Sequence, residues 1–250
     1  MHAFVISGLV FACTFGGAML GMWLRTVLPE HHFEKESKDT VTVAIGLIAT
    51  MTALVLGLVT ASAKSAFDEL DTAVRHGAAD VLTLDRTLAR YGAEAMPVRD
   101  TLKAVVGERI DTIWPTDGVI GDPMKLARSG ERISEEILAL EPKTDEQRWV
   151  KERALEGGEE LLKARWAVVS SVGSSIPTPF MTVLIFWLTI TFTSFGLFAP
   201  RNATVIAALF VCTLSVGGAI YLILEMDNPF DGLIKISSEP MRYAYSRLEQ

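Results

Sequence analysis

Four side chains in one short polar segment, His31, His32, Glu34 and Glu36, have the donor types of a metal centre. Adjacent histidines in a loop lack the one-face geometry of a helical ligand pair, so the segment reads as a solvated hairpin loop. His76 stands beside an apolar repeat and reads as a packed or interfacial residue rather than a base. No phosphate-binding glycine loop, nucleophile–base–acid pattern or metal-ligand spacing is present. No metal site, no cofactor and no enzymatic activity is therefore expected. The chemistry that remains is that of ions. Asp68, Glu69 and Asp71 form an acidic cluster against one lysine, Lys64, and Thr50 and Thr60 place hydroxyls in an otherwise apolar run. A further stretch, Glu225-Met226-Asp227-Asn228-Pro229-Phe230-Asp231-Gly232, sets acids beside a Pro-Phe pair and a later glycine. It predicts a fixed structural turn built on Asp227, Pro229, Phe230 and Gly232, with Pro229 ending the preceding helix.

The element that must position the first two groups is one very long helix over residues 40–91. Residues 41–63 carry no charge. At 1.5 Å per residue they extend about 35 Å, enough to cross a bilayer core of about 30 Å. No Gly or Pro follows Leu58 until Gly77, so nothing ends the helix at Lys64. The pattern then becomes a heptad, Phe67, Leu70, Val74, Gly77, Val81, Leu84, Leu88 and Tyr91. On the span itself Gly46, Thr50, Ala53, Gly57 and Thr60 share a small, hydroxyl-bearing face with Thr42, Ala49 and Ala61. Ile48, Met51, Val55, Leu58 and Val59 form a bulky face suited to lipid. The small face suits close helix packing or water.

The rest of the chain supplies three more spans and a polar insert. Residues 3–28 are apolar until Arg25 and lack the basic start and cleavage motif of a signal peptide. Gly8, Ala12 and Gly16, and Gly17 with Gly21, recur every four residues, as in close backbone contacts between membrane helices. Spans three and four fall at about 180–199 and 203–224. Residues 64–176 show no period-two alternation and predict a helical soluble domain. Its further helices run from about 97 to 114, from Asp122-Pro123 to 140, and from a capping box at Thr144 and Gln147 onward, with Gly157-Gly158 a weak point. Residues 225–250 form a turn and tail. The fold class expected is an all-α membrane protein with four transmembrane helices, its helical domain inserted between spans two and three.

Composition agrees with that mixture, at 50% hydrophobic and 21% charged residues. A net charge of −7 argues against nucleic acid and against a peripheral anchor to anionic lipid. The two cysteines, Cys13 and Cys212, lie in apolar segments and carry no disulfide or metal signal. Lys64, Lys163, Arg165, Lys235, Arg242 and Arg247 lie near span ends on one side, against Arg25, Lys35, Lys38 and Arg201 on the other. This bias predicts a multi-pass protein of the cell membrane with both termini and the soluble domain cytoplasmic.

Three features together, Leu28-Pro29 with His31, the second span and stalk from Gly46 to Asp68, and Asp227 to Gly232, make the chain resemble the bestrophin-like membrane proteins. The resemblance covers nearly the whole chain and implies four membrane helices with a helical cytoplasmic domain, but no activity. The more remote similarity is to bestrophins, pentameric anion channels lined by their second membrane helix. The chain departs from them in having no aromatic residue on this span before Phe67. The function expected is a homo-oligomeric ion channel with Gly46, Thr50, Ala53, Gly57 and Thr60 lining the pore. Asp68, Glu69 and Asp71 would concentrate ions at its mouth and make it prefer cations. The alternative is a non-conducting scaffold or accessory protein whose cytoplasmic helices bind a partner. The bilayer, inorganic ions and further copies of the chain are the expected partners.

Overall fold

The computed structural model describes residues 2–29, 35–115, 123–170, 178–230 and 232–248. His31, His32, Glu34, Asp122, Pro177 and Asp231 lie outside them, as do the side chains of Glu36, Leu126, Trp166 and Val169. Among the described residues there is no strand. The helices are α1 (His2–Val27), α2 (Lys35–Tyr91), α3 (Met96–Ile113), α4 (Pro123–Leu138), α5 (Asp145–Ser170), α6 (Thr178–Phe198), α7 (Ala203–Met226) and α8 (Glu239–Arg247). Four of them contain stretches long and apolar enough to cross a membrane, Ala3–Val27, Asp39–Tyr91, Pro179–Phe198 and Ala203–Met226. The protein is thus an all-helical multi-pass membrane protein. α2 is continuous over 57 residues and begins at Lys35, inside what the sequence marks as a loop. It ends where Gly92 adopts φ 116°, a left-handed conformation that glycine enters without a Cβ clash.

The chain divides into two compact units, residues 1–66 with 174–228, and residues 67–173 with 229–250. The first unit is built on α1 against α6. A Cβ on Gly21 would lie 1.9 Å from the Thr193 carbonyl oxygen, and one on Gly196 1.9 Å from that of Ala18. Only glycine permits so close a crossing. Gly17 faces Thr189 and Thr193, whereas Gly8 and Gly16 have nothing within 4 Å. Buried threonines here donate to their own helix: Thr14 to the Val10 carbonyl (2.8 Å) and Thr191 to that of Trp187 (2.9 Å). The hydroxyls are satisfied without a partner helix. Val10, Ala18, Leu184, Leu188, Leu209 and Ile220 form the core.

α2 joins this unit along a stripe with a seven-residue repeat, Ile45, Thr52 and Val59, continued by Ala63. The bulky face expected to meet lipid is therefore divided. Val59 is buried with Ala63 and Ile223, and Val55 packs on the core. Met51 and Leu58 stay exposed beside Leu47 and Leu54.

The second unit packs α2, from Leu70 onward, with α3, α4, α5 and α8. Leu84, Leu88, Leu102, Val106, Ile110, Ile137, Val150 and Met241 meet in one core. Gly157 and Gly158 do not break α5. A Cβ on Gly157 would lie 3.6 Å from Leu84, and one on Gly158 3.5 Å from the Ser134 hydroxyl, so the pair lets α5 approach α2 and α4 together. One bond of the capping box forms, with Gln147 N–H donating to Thr144 Oγ1 (3.1 Å), while Gln147 Oε1 accepts from the N–H of Lys143, one residue before the cap (2.8 Å). Gln147 Nε2 then donates to the Tyr91 carbonyl (3.0 Å), satisfying one of the last carbonyls of α2.

Candidate functional site

The small face of α2 is open. Gly46, Thr50, Ala53, Gly57 and Thr60 are all exposed. A Cβ added at Gly46 or Gly57 would meet nothing within 4 Å, so among the described residues no close contact forms there. Helical periodicity puts this face about a third of a turn from the buried Ile45–Thr52–Val59 stripe, and the exposed leucines on the far side of it. Thr50 Oγ1 donates to the Leu47 carbonyl and Thr60 Oγ1 to the Leu56 carbonyl, both at 2.7 Å. The single hydroxyl proton of each is committed to the helix. What each threonine offers outward is the acceptor side of its oxygen.

The acids of the next turns belong to the second unit. Asp68 and Glu69 are exposed, and both take part in polar interactions. Asp71 is half-buried and accepts from Arg75 Nε at 2.8 Å, one turn along α2. That hydrogen bond and charge hold the Arg75 guanidinium above its ordinary range. Arg75 therefore offsets one of the three acids. His76 is exposed on the same helix.

The stretch after α7 is a capped helix end followed by a packed turn. Asp227 N–H donates to the Ile223 carbonyl (3.1 Å) and Asn228 N–H to that of Glu225 (3.2 Å), while Asn228 Nδ2 reaches the Leu224 carbonyl (3.0 Å). Three final carbonyls of α7 are thus satisfied before Pro229, which cannot donate. In the second unit the Pro229 carbonyl accepts from Ile236 N–H (2.8 Å), closing the turn, and Gly232 sits at φ 99°. Phe230 meets the Trp114 ring edge-on at 5.8 Å and packs with Phe67, Leu70 and Val74 of α2. Trp114 Nε1 donates to the Ile236 carbonyl (2.9 Å). Among the described residues, the ring and core contacts of Phe230 are with apolar side chains.

A match to the bestrophin-like domain spans residues 12–241, from the first membrane helix into α8. The chain belongs to the bestrophin-like family. No curated protein and no solved structure matches it. In this bestrophin-like protein the matched segment contains the open face of α2, the acids and the turn alike.

Two features escape inspection of the sequence. Asp85, only 4% exposed, accepts from Arg99 Nε (2.7 Å) and Nη2 (3.0 Å), a two-pronged ion pair between α2 and α3. Its signal is faint: an acid directly beside the core position Leu84. The second is the crossing of arginines at the end of α1. Arg201 Nε donates to the Met22 carbonyl (3.1 Å), and Arg25 Nη1 donates to the Ala199 carbonyl. Among the described residues no cluster of three metal-ligating side chains occurs.

Proposed function

We propose that the protein is a homo-oligomeric ion channel whose pore is lined by α2. Gly46, Thr50, Ala53, Gly57 and Thr60 would face the axis, and cations would be preferred over anions. One observation carries this reading: along its span α2 is anchored by one stripe and, among the described residues, leaves a small, hydroxyl-bearing face exposed. Membership of the bestrophin-like family supports a channel-type role. The cation preference is supported by the committed protons of Thr50 and Thr60, which leave oxygen lone pairs to replace cation hydration. Asp68 and Glu69 add negative charge beyond the span, reduced by the pairing of Asp71 with Arg75. In this reading the soluble unit and both termini are cytoplasmic, and the protein performs no enzymatic reaction.

The second reading, a non-conducting scaffold, is favoured by apolar side chains exposed on the second unit, Trp149 at 60% and Leu138 at 60%. Such residues are suited to a partner protein. Reconstitution separates the two. Purified protein in liposomes under a potassium chloride gradient is expected to give a reversal potential on the potassium side. Chloride selectivity would overturn the cation assignment, and a stable oligomer with no flux would favour the scaffold.

A further inference from the structure

The two arginines at the end of the first unit do more than cap helices. Arg25 lies in the last turn of α1, and Arg201 in the turn between α6 and α7. Each reaches across to the other's element. Arg25 donates to the carbonyl of Ala199, two residues before Arg201, and Arg201 donates to the carbonyl of Met22, three residues before Arg25. The reciprocal bonds hold both guanidinium groups over one junction. There the backbones already touch, with Gly21 against Thr193 and Leu197. The Ala199 carbonyl lies at the C-terminal end of α6, where the helix dipole favours cations, and that of Met22 in the last two turns of α1.

Neither arginine is satisfied by these bonds. A guanidinium carries five donors in a planar fork. Both residues are exposed, and among the described residues their hydrogen bonds go to backbone carbonyls. Among the described residues no carboxylate pairs with either. Two like charges brought to one junction by these bonds both attract an anion. Their level in the bilayer is marked by Trp23, 56% exposed and two residues before Arg25, in the manner of a headgroup-level aromatic.

We infer that Arg25 and Arg201 together form a binding site for the phosphodiester of an anionic phospholipid, gripped by their two guanidinium forks. The phosphate supplies the planar acceptor pair that the forks fit, and the acyl chains lie along the exposed apolar surface of α1. The site is independent of conduction.

The test uses the full chain, delipidated in neutral detergent, with thermal unfolding as readout. Phosphatidylglycerol is expected to raise the midpoint, and phosphatidylcholine with the same chains is not. In R25Q/R201Q the apparent affinity for phosphatidylglycerol should fall roughly thirtyfold, the product of two cationic contacts at a membrane surface. An equal rise with phosphatidylcholine, or full affinity in the double variant, overturns the proposal. An equal rise with inorganic phosphate at the same concentration overturns the lipid assignment in favour of a free-anion site. Should the double variant fail to accumulate, R25K/R201K keeps a cation over each carbonyl and removes the forks. Reduced affinity is expected there as well, and unchanged affinity rejects recognition by the forks.

Discussion

Asp80 on α2 shows how a single carboxylate ties the stability of the second unit to pH. Burial, and then the nearby Glu160 of α5, push its pKa up, with His76 acting in the opposite direction. A carboxyl whose folded pKa lies above its unfolded value stabilises the fold fully at low pH. That contribution is lost as pH rises through the raised value. Asp80→Asn imitates the protonated form, so it should raise the melting midpoint at pH 7. The difference from wild type should vanish near about pH 3, below the ordinary aspartate range. A gain independent of pH would mean that charge is not its origin. The Asp85 carboxylate is instead met by both prongs of Arg99. Arg99→Met strands a buried carboxylate and should cost about 3–5 kcal/mol in denaturant unfolding of the full chain. Replacing the pair together, as D85L/R99M, should restore most of that loss. A double variant as unstable as the single would show that the arginine acts through something other than the pair.

The crossing of α1 and α6 is decided by glycine at particular turns, and its neighbours provide the control. Gly21→Ala places a methyl carbon where the Thr193 carbonyl oxygen stands, so the helices must separate. A loss of about 1–3 kcal/mol, or more, is expected from the overpacking. Gly16→Ala, five residues earlier with nothing within 4 Å, should leave the thermal midpoint of the isolated chain unchanged or slightly raised, since alanine is the better helix former. Equal destabilisation by both would mean that Gly16 is covered in the native assembly.

For the whole molecule the corresponding position is Gly57. A Cβ there would meet nothing within 4 Å among the described residues, so Gly57→Leu should leave the fold of each chain intact. If the α2 faces surround an axis, a ring of such leucines, one from each chain, would close it. Flux in liposomes should then fall at least roughly tenfold while the melting midpoint holds within about 0.5 kcal/mol of wild-type stability. Normal flux through a correctly assembled variant would remove Gly57 from the pore.

Periodicity and length alone determined the long helices, though not the start of α2 at Lys35 or α8 in the tail. The uncharged run to Ala63, the absence of Gly or Pro up to His76 and the heptad to Tyr91 leave a continuous helix as the one backbone that satisfies its own hydrogen bonds in lipid and then buries a seam. Thr144 and Gln147 marked the start of α5 for the same local reason, since a cap depends on residues three apart. Tertiary structure decided which faces meet. Gly17 and Gly21 pack closely while Gly8 and Gly16, in the same spacing, do not. Val59 turns inward while Leu58 stays out. Arg75 meets Asp71, and Arg99 crosses fourteen residues of chain to Asp85. Small residues every four positions permit a close approach without choosing the partner. That choice follows from how the volumes and charges of several helices fit at once, which no single segment encodes.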